Sequence, residues 1–312
     1  MKFFLAPMQG LTGYIVRNAF HHHFDYIDKY YTPFIPAAKR MNAKIKRDID
    51  PVNNDGITLI PQAMSIVADE VIDLHRQLVP YGYDEINVNL GCPSGTVVSK
   101  KRGSGILAYP DILDSFLDEL YTKADFPVSI KTRVGFNDDE LWPKLIEIYS
   151  KYPISELTVH PRVQKDFYKN TPRRDDFALA MQKINPDKTI LCYNGDITNA
   201  NSFKALTDRF PDIDEIMIGR GLFANPALIA ELKGISMDKA ELCERLKNWH
   251  DEILSGYLSI FSGEKDAMFR MKEIWAYMHG LFPDSEKLWK KIKKSQTLTD
   301  YKSIVRMAFD AF

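Results

Sequence analysis

The feature that most constrains the fold of this 312-residue chain is an alternation of short apolar runs with helix-like stretches across roughly its first 235 residues. The apolar runs are rich in β-branched and aromatic residues, which is typical of buried strands. Strand followed by helix, repeated in this way, is the element order of a closed parallel (β/α)8 barrel. An open doubly wound sheet is the alternative, because element order alone does not establish closure. We predict eight strands, at residues 2–7, 26–31, 58–64, 85–90, 127–132, 156–160, 189–193 and 215–218.

The pattern changes after about residue 236, where the strand signal ends. Leu246, Trp249 and Ile253 recur at helical spacing, and similar apolar repeats continue to the end of the chain. We interpret this tail as about four helices whose aromatic residues and methionines are mostly core. The predicted fold is therefore α/β: a (β/α)8 TIM barrel in residues 1–235, followed by a small all-helical domain in residues 236–312.

Charge and cysteine content exclude several classes of protein. The chain has 41 Lys+Arg and 42 Asp+Glu, a formal net charge of −1, so any contact with nucleic acid requires a local basic surface. Cys92, Cys192 and Cys243 are far apart in sequence, which argues against a disulfide framework or a zinc site and for a reducing compartment. No signal-peptide pattern and no apolar run of about 18 residues is present. We expect a cytoplasmic monomer that has no metal and no membrane contact.

One predicted strand ends in a thiol. Residues 85–90 alternate apolar and polar side chains and are followed by Gly91-Cys92-Pro93, which places Cys92 at the carboxyl end of the strand. In barrel enzymes the chemistry takes place at that rim. Cys92 is therefore a candidate for a chemical role, and the alternative is a small buried core residue.

Residues that follow parallel strands converge on one rim, even when they are distant in sequence. Here the rim gathers amides, one lysine and one histidine, without a carboxylate pair or a metal-binding cluster. Two glycine-bearing turns, Asn194-Gly195-Asp196 and Gly219-Arg220-Gly221, follow the last two strands, where this fold commonly holds a phosphate. Each turn by itself is also consistent with a simple tight loop. Lys131 is placed to put positive charge beside an electron-rich ring such as a reduced flavin, or to form an ion pair at the barrel mouth.

Seven short segments stand in a characteristic order along the chain. They are APMQGLT (6–12), NLGCP (89–93), GSGIL (103–107), KTRVG (131–135), HPR (160–162), NGDI (194–197) and MIGRG (217–221). In order and spacing these segments resemble the flavin-dependent tRNA-dihydrouridine synthases. The resemblance extends over almost the whole chain and implies a barrel followed by a small helical domain, in agreement with the division made from periodicity.

The resemblance also implies a reaction and a set of site residues. FMN is the implied cofactor, NADPH the reductant, and a D-loop uridine of tRNA the substrate, whose C5–C6 double bond accepts hydride from flavin N5 at C6 and a proton from Cys92 at C5. A thiol with an ordinary pKa of about 8.5 is mostly protonated at neutral pH and suits that task. The residues implied to hold FMN are Pro7, Met8, Gln9, Gln62, Lys131, His160, Asn194, Gly195, Asp196, Gly219 and Arg220. The residues expected to contact tRNA are Asn89, Lys100, Arg133, Arg162, Arg270 and Lys272.

Three basic clusters are candidates for the RNA-contacting surface that the near-zero net charge makes necessary. They comprise Lys39, Arg40, Lys44, Lys46 and Arg47; Lys100 to Arg102; and Lys287 to Lys294 with Arg270 and Lys272. Each is also consistent with a solvated surface. A uridine inside folded tRNA must be unstacked and swung into the pocket to react. Two other functions stay open: an FMN barrel oxidoreductase acting on a free pyrimidine or enone, and a non-catalytic tRNA-binding chaperone on the same fold.

Overall fold

A computed structural model describes residues 1–37 and 40–312, and its centre is a sheet of ten short strands in which every pairing is parallel. The strands are β1 (Lys2–Leu5), β2 (Lys29–Tyr31), β3 (Ile35–Pro36), β4 (Leu59–Ile60), β5 (Gln62–Met64), β6 (Ile86–Leu90), β7 (Val128–Gly135), β8 (Glu156–Val163), β9 (Ile190–Tyr193) and β10 (Glu215–Ile218). Their order in the sheet is β3-β5-β6-β7-β8-β9-β10-β1-β2-β4.

Residues 59–64 close this sheet into a barrel. β4 pairs with β2, and immediately after Pro61 the chain continues as β5, which pairs with β6. Pro61 has no N–H to donate to a neighbouring strand, so one predicted strand becomes two. The backbone stays tied across the break, because Thr32 N donates to Ile60 O and Asn87 N donates to Pro61 O. The barrel prediction is confirmed. All eight predicted strands are present, and the total of ten arises because the predicted strand 58–64 is divided at Pro61 and because the two-residue β3 was not predicted.

Helices connect successive strands and then continue beyond the barrel. The connecting helices are α1 (Tyr14–His23), α2 (Ala43–Ile49), α3 (Ala68–Leu78), α4 (Gly95–Val98), α5 (Pro110–Lys123), α6 (Trp142–Ser150), α7 (Arg174–Lys183), α8 (Ala200–Thr207), α9 (Arg220–Ala224) and α10 (Leu228–Leu232). The tail is formed by α11 (Lys239–Ile260), α12 (Glu264–Met278), α13 (Ser285–Lys294) and α14 (Leu298–Asp310). No helix of the described chain combines the length and the apolar character needed to cross a bilayer.

The tail packs directly on the barrel through apolar helix faces. α11 lies against α1, and α12 lies against α9. The ring of Phe20 on α1 meets Trp249 of α11 edge-on at 5.2 Å between centroids and Phe223 of α9 at 5.7 Å. All three rings are fully buried, so burial of aromatic surface holds the tail in place over one side of the barrel.

A buried polar group ties the tail helices to one another. Tyr301 of α14 accepts a hydrogen bond at its hydroxyl from Trp275 Nε1, at 2.9 Å, and lies 2.7 Å from His250 Nε2. His250 Nδ1 contacts Asp251 at 2.9 Å, so the ring is held between a carboxylate and a phenol. Because these rings are at most 1% exposed, each hydrogen bond replaces one that water would otherwise provide.

We expect Tyr301→Phe to lower the free energy of unfolding by about 1–3 kcal/mol, because it leaves the indole N–H and one imidazole nitrogen buried without a partner. The measurement is urea unfolding followed by circular dichroism. Tyr109→Phe is the matched control, since that side chain is 42% exposed and should change stability by less than about 0.5 kcal/mol. Equal unfolding midpoints for the two variants would contradict the proposed contribution of the buried hydroxyl.

Candidate active site

The carboxyl ends of the strands open into a cavity of about 500 Å³, a volume typical of small-molecule sites. Every residue predicted to hold the cofactor lines this cavity, and so do Cys92, Asn89 and Arg133. The cofactor set at the cavity wall is Pro7, Met8, Gln9, Gln62, Lys131, His160, Asn194, Gly195, Asp196, Gly219 and Arg220. Parallel strands therefore bring together residues from nearly the whole barrel sequence.

A chain of buried amides forms one wall. Asn89 Nδ2 donates to Gln62 Oε1 at 2.7 Å, and Gln62 Nε2 donates to Asn87 Oδ1 at 2.8 Å. Asn87 Nδ2 in turn donates to Ser129 Oγ at 3.0 Å. Because each amide fixes the orientation of the next, the donors and acceptors of this wall are set before any ligand arrives.

Cys92 lines the cavity from a loop that is held by hydrogen bonds. Asn89 Oδ1 accepts from the backbone N–H of Cys92 at 2.9 Å and of Gly91 at 3.1 Å. Burial raises the pKa of the Cys92 thiol, and the opposing effects of the Ser94 backbone N–H and of the Arg133 and Lys131 charges do not cancel it. The thiol therefore keeps its proton at neutral pH, as a general acid must. Cys192, by contrast, is a fully buried core residue.

Lys131 has no salt bridge among the described residues and donates a hydrogen bond to an amide instead. Its Nζ is 2.6 Å from Asn194 Oδ1, and Asn194 Nδ2 donates to Met217 O at 2.8 Å. Burial lowers the pKa of Lys131 to about 7, and the nearby charge of Arg133 acts in the same direction. The amine is thus close to half-protonated at neutral pH, and a bound electron-rich group would favour its charged form.

The two glycine turns pack against each other and carry an ion-pair network. A Cβ at Gly221 would lie 2.1 Å from the carbonyl oxygen of Ile197, so only glycine lets the turns approach this closely. Burial alone would raise the pKa of Asp196, but its pairing with Arg162 and Arg220 outweighs burial and lowers it. The two turns and the guanidinium of Arg220 thus form one corner of the cavity, a combination that suits an anion such as a phosphate.

The predicted RNA-contacting residues do not form one group. Arg133 and Arg162 are only 1% exposed, and their guanidinium groups bond to residues of the cavity wall, Arg133 to Gly91 O and Arg162 to Asp196. Arg270 pairs with Glu273 at 2.8 Å, and its Nη1 lies close to Gly10 beside the mouth. Asn89 lines the cavity, and Lys100 is exposed in the segment that follows Cys92. Lys272 donates to Ser295 O at 2.7 Å, where α12 meets the end of α13.

Aromatic residues that sequence reasoning missed also line the cavity. Tyr168 stacks near His160 at 6.2 Å between centroids, and the guanidinium of Arg220 lies 4.6 Å from its ring. Phe34 comes from the connection after β2, and Tyr277 comes from α12 of the tail. A tyrosine in a loop and a tyrosine in a helical repeat carry no local signal of this placement, because only the tertiary fold brings them to the mouth.

The lining chemistry suits a planar heterocycle that carries a phosphate. Amide and amine donors from Gln62, Asn194 and Lys131 suit the carbonyl oxygens and ring nitrogens of a planar heterocycle, while the glycine corner suits a phosphate. His160 stays neutral, since burial and then the charges of Arg133 and Lys131 lower its pKa well below the usual range. Within the described residues, no group of three or more His, Cys, Asp or Glu is arranged to hold a metal ion.

Comparisons with known proteins bear on family and fold. The family model described as "Dihydrouridine synthase (Dus)" matches residues 4–311. tRNA-dihydrouridine synthase B of Pasteurella multocida (strain Pm70) is 25% identical over 296 residues, covering 91% of this chain and 85% of that protein. A Staphylococcus aureus (strain MRSA252) protein named "Probable tRNA-dihydrouridine synthase" is 25% identical over 321 residues, covering 97% and 92%. The old yellow enzyme from Trypanosoma cruzi superposes with a TM-score of 0.51 at 8% identity over 76% of this chain and 89% of that one, a similarity of fold alone.

Proposed function

Because this chain belongs to the dihydrouridine synthase family, we propose that it reduces the C5–C6 double bond of a D-loop uridine in tRNA to give dihydrouridine. The observation that carries the proposal is the position of Cys92: a protonated thiol lines the same cavity as Lys131 and the two glycine turns. We propose that the enzyme acts as a monomer in the cytoplasm, where its tRNA substrates are found.

FMN is the cofactor that we propose for the cavity, with NADPH as its reductant. Gln62, Asn194 and Lys131 would hold the ring system, and the Gly195 and Gly219 turns with Arg220 would hold the phosphate. The donor set supports this assignment, because it offers N–H groups along one wall and a cationic corner at its end. When bound, FMN would supply the hydride that uridine C6 receives.

The protein's own contribution to the reaction is a proton. As hydride reaches C6, the thiol of Cys92 gives its proton to C5, so that one hydride and one proton together saturate the double bond. The thiolate left behind is stabilised by the charges of Arg133 and Lys131, the same groups that oppose burial in setting the thiol pKa. Water then returns a proton to the sulfur, which completes the cycle.

Exposed cations near the mouth support a polyanionic substrate. Arg40, Lys44, Lys46 and Arg47 are all exposed and form no salt bridge within the part of the chain that the structure describes; Lys39 lies outside the described residues. Lys44, Lys46 and Arg47 belong to α2. We call these three residues the α2 cluster. Asp48, next in the chain, accepts from Tyr14 N at 2.7 Å, which places the end of α2 beside the turn after β1.

The tail offers a second basic surface on α13. Lys287, Lys290, Lys291, Lys293 and Lys294 are all exposed, while Ile292 is buried against the rest of the tail. One face of this helix therefore anchors it and the other presents positive charge. We propose that residues 236–312 form a tRNA-binding domain, and that α13 and the α2 cluster contact the phosphate backbone while a uridine is swung out into the cavity.

Neutralising the α2 cluster is expected to weaken tRNA binding and its dependence on salt. Each phosphate contact contributes about 0.7–0.9 to the slope of log K against log salt concentration, so the Lys44→Ala, Lys46→Ala, Arg47→Ala triple variant should reduce the slope by about 2–3. Filter binding with unmodified tRNA at several salt concentrations measures it. A control with the same loss of charge replaces the exposed Lys151, Lys183 and Lys188, on the amino-terminal side of the barrel, and should keep the slope. Lys151 and Lys183 pair there with Asp114 and Glu147. Equal slopes in all three proteins would exclude the α2 cluster from the interface.

The direct test of the proposed function is dihydrouridine formation on tRNA from a strain lacking the enzyme, measured by mass spectrometry of digested nucleosides. We expect product only when FMN and NADPH are both supplied. Turnover of a free pyrimidine or an enone, with no reaction on tRNA, would instead support a small-molecule oxidoreductase. A colourless protein that binds tRNA but not FMN would support a non-catalytic chaperone.

A further inference from the structure

The buried guanidinium of Arg133 joins two separate loops of the cavity rim. From β7, its Nε donates to Gly91 O at 2.9 Å, its Nη1 to Val163 O at 2.9 Å, and its Nη2 to Phe167 O at 2.8 Å. Gly91 precedes the cysteine of the loop after β6, whereas Val163 and Phe167 flank the turn after β8. One planar side chain therefore fixes the separation of the two loops.

The cysteine loop is fixed from its other side as well. Gly103 has φ +56°, and a Cβ there would lie 2.7 Å from Cys92 O and 3.0 Å from Cys92 Cβ. Ser104 donates to Cys92 O from both its backbone N–H, at 3.1 Å, and its hydroxyl, at 2.9 Å. Contacts from Gly103 and Ser104 on Cys92 itself and from Arg133 on Gly91 therefore hold the backbone that carries the thiol.

The loop after β8 is held in an unusual conformation. Phe167 has φ +51°, a region that non-glycine residues rarely adopt and keep only when their surroundings hold them. Arg133 binds the carbonyl of this residue, and the ring of Tyr168, next in the chain, lies 5.5 Å from the guanidinium. Gln164 Nε2 donates to Pro93 O at 3.0 Å, a second link between the same two loops.

We propose that Arg133 is a positioning residue, which fixes the Cys92 thiol and the Tyr168 ring on the cavity wall and does not bind RNA. Lysine cannot replace it, because a single ammonium group does not match three carbonyl oxygens from two loops. The kinetic part of this inference rests on the proposed function. The groups that face the thiol are Lys131, Arg133 and the backbone N–H of Ser94.

The test compares Arg133→Lys and Arg133→Met with Arg17→Lys as a matched control. Arg17 is likewise fully buried and bonds to backbone carbonyls, but it lies in α1, outside the cavity lining. We measure kcat and KM for tRNA, and the pH dependence of Cys92 alkylation by iodoacetamide in the purified protein, with the modified peptide identified by mass spectrometry. The alkylation readout requires no turnover, so it stays informative even if the wild-type protein forms no dihydrouridine.

Both Arg133 variants should lower kcat on the order of 10–100-fold and leave KM within about twofold, the result of a displaced acid. Arg133→Met should also move the alkylation midpoint to higher pH, because a positive charge beside the sulfur is lost, whereas Arg133→Lys should keep it. Arg17→Lys should lower stability without changing kcat or the alkylation profile. A rise in KM at constant kcat would make Arg133 an RNA contact. An equal loss of kcat in Arg17→Lys would show that Arg133 contributes only general stability. Either outcome overturns the proposal.

Discussion

Cys92→Ala should lose dihydrouridine formation by a factor on the order of 10²–10⁴, the usual contribution of a positioned general acid. Flavin content and flavin reduction by NADPH should not change, because the proposed ring-binding and phosphate-binding groups make no use of the thiol. The decisive measurement is a single turnover: protein reduced by NADPH is mixed with unmodified tRNA, and dihydrouridine is quantified over time. Full activity of this variant would remove Cys92 as the acid.

The pH profile separates a proton donor from a residue that merely fills space. Burial raises the thiol pKa, so the acid is fully protonated across neutral pH. At saturating FMN, activity should therefore fall only as the pH rises through that raised pKa. Cys92→Ser should lose most of the activity, and the remaining activity should not show this fall at high pH. Cys243→Ala is the matched control, since this other partly buried cysteine lies on α11 and contacts Phe309 O. Loss of activity in Cys243→Ala would point to general damage rather than to the acid.

Some of the site follows from sequence because its signals are local. A strand that ends in Gly91-Cys92-Pro93 marks a rim position, and glycine turns after the last two strands mark an anion corner. Parallel topology then brings these positions together, whatever their separation in sequence. The cavity lining agrees with that reasoning at Cys92, Gly195 and Gly219.

Other features depend on contacts that no local pattern encodes. Arg133 stands in the segment KTRVG, but its hydrogen bonds to Gly91 O and Val163 O come from two loops that are distant in sequence, so no local pattern predicts them. Tyr277 has the spacing of a core helix residue, and only the packing of α12 on α9 brings it to the mouth. The two-residue strand β3 is too short to give any alternation, and its pairing with β5 defines it.

Lys131→Met should weaken FMN binding about 10–100-fold, the effect of losing one charge-assisted hydrogen bond in a buried site. The wild-type protein should also bind FMN more weakly as the pH rises above about 7, because Lys131 then loses the proton that the ring system favours. Fluorescence titration of cofactor-free protein with FMN at pH 6 and pH 8 measures both effects. Lys204→Met, on the exposed face of α8, is the control and should keep the wild-type affinity and pH dependence.

Lys131→Met should also make the cofactor-free protein more stable. This gain in stability is opposite in direction to the loss of FMN affinity, and it is the stronger test. The folded-state pKa of Lys131, about 7, lies below the unfolded value of about 10.4, so the folded protein loses stability as the pH falls through this window. Methionine fills similar space without a charge to bury, so the melting temperature of cofactor-free Lys131→Met should exceed that of wild type at pH 7, and FMN should raise it less. A variant that is both less stable without FMN and unchanged in FMN affinity would show that Lys131 supports the barrel mouth rather than the cofactor.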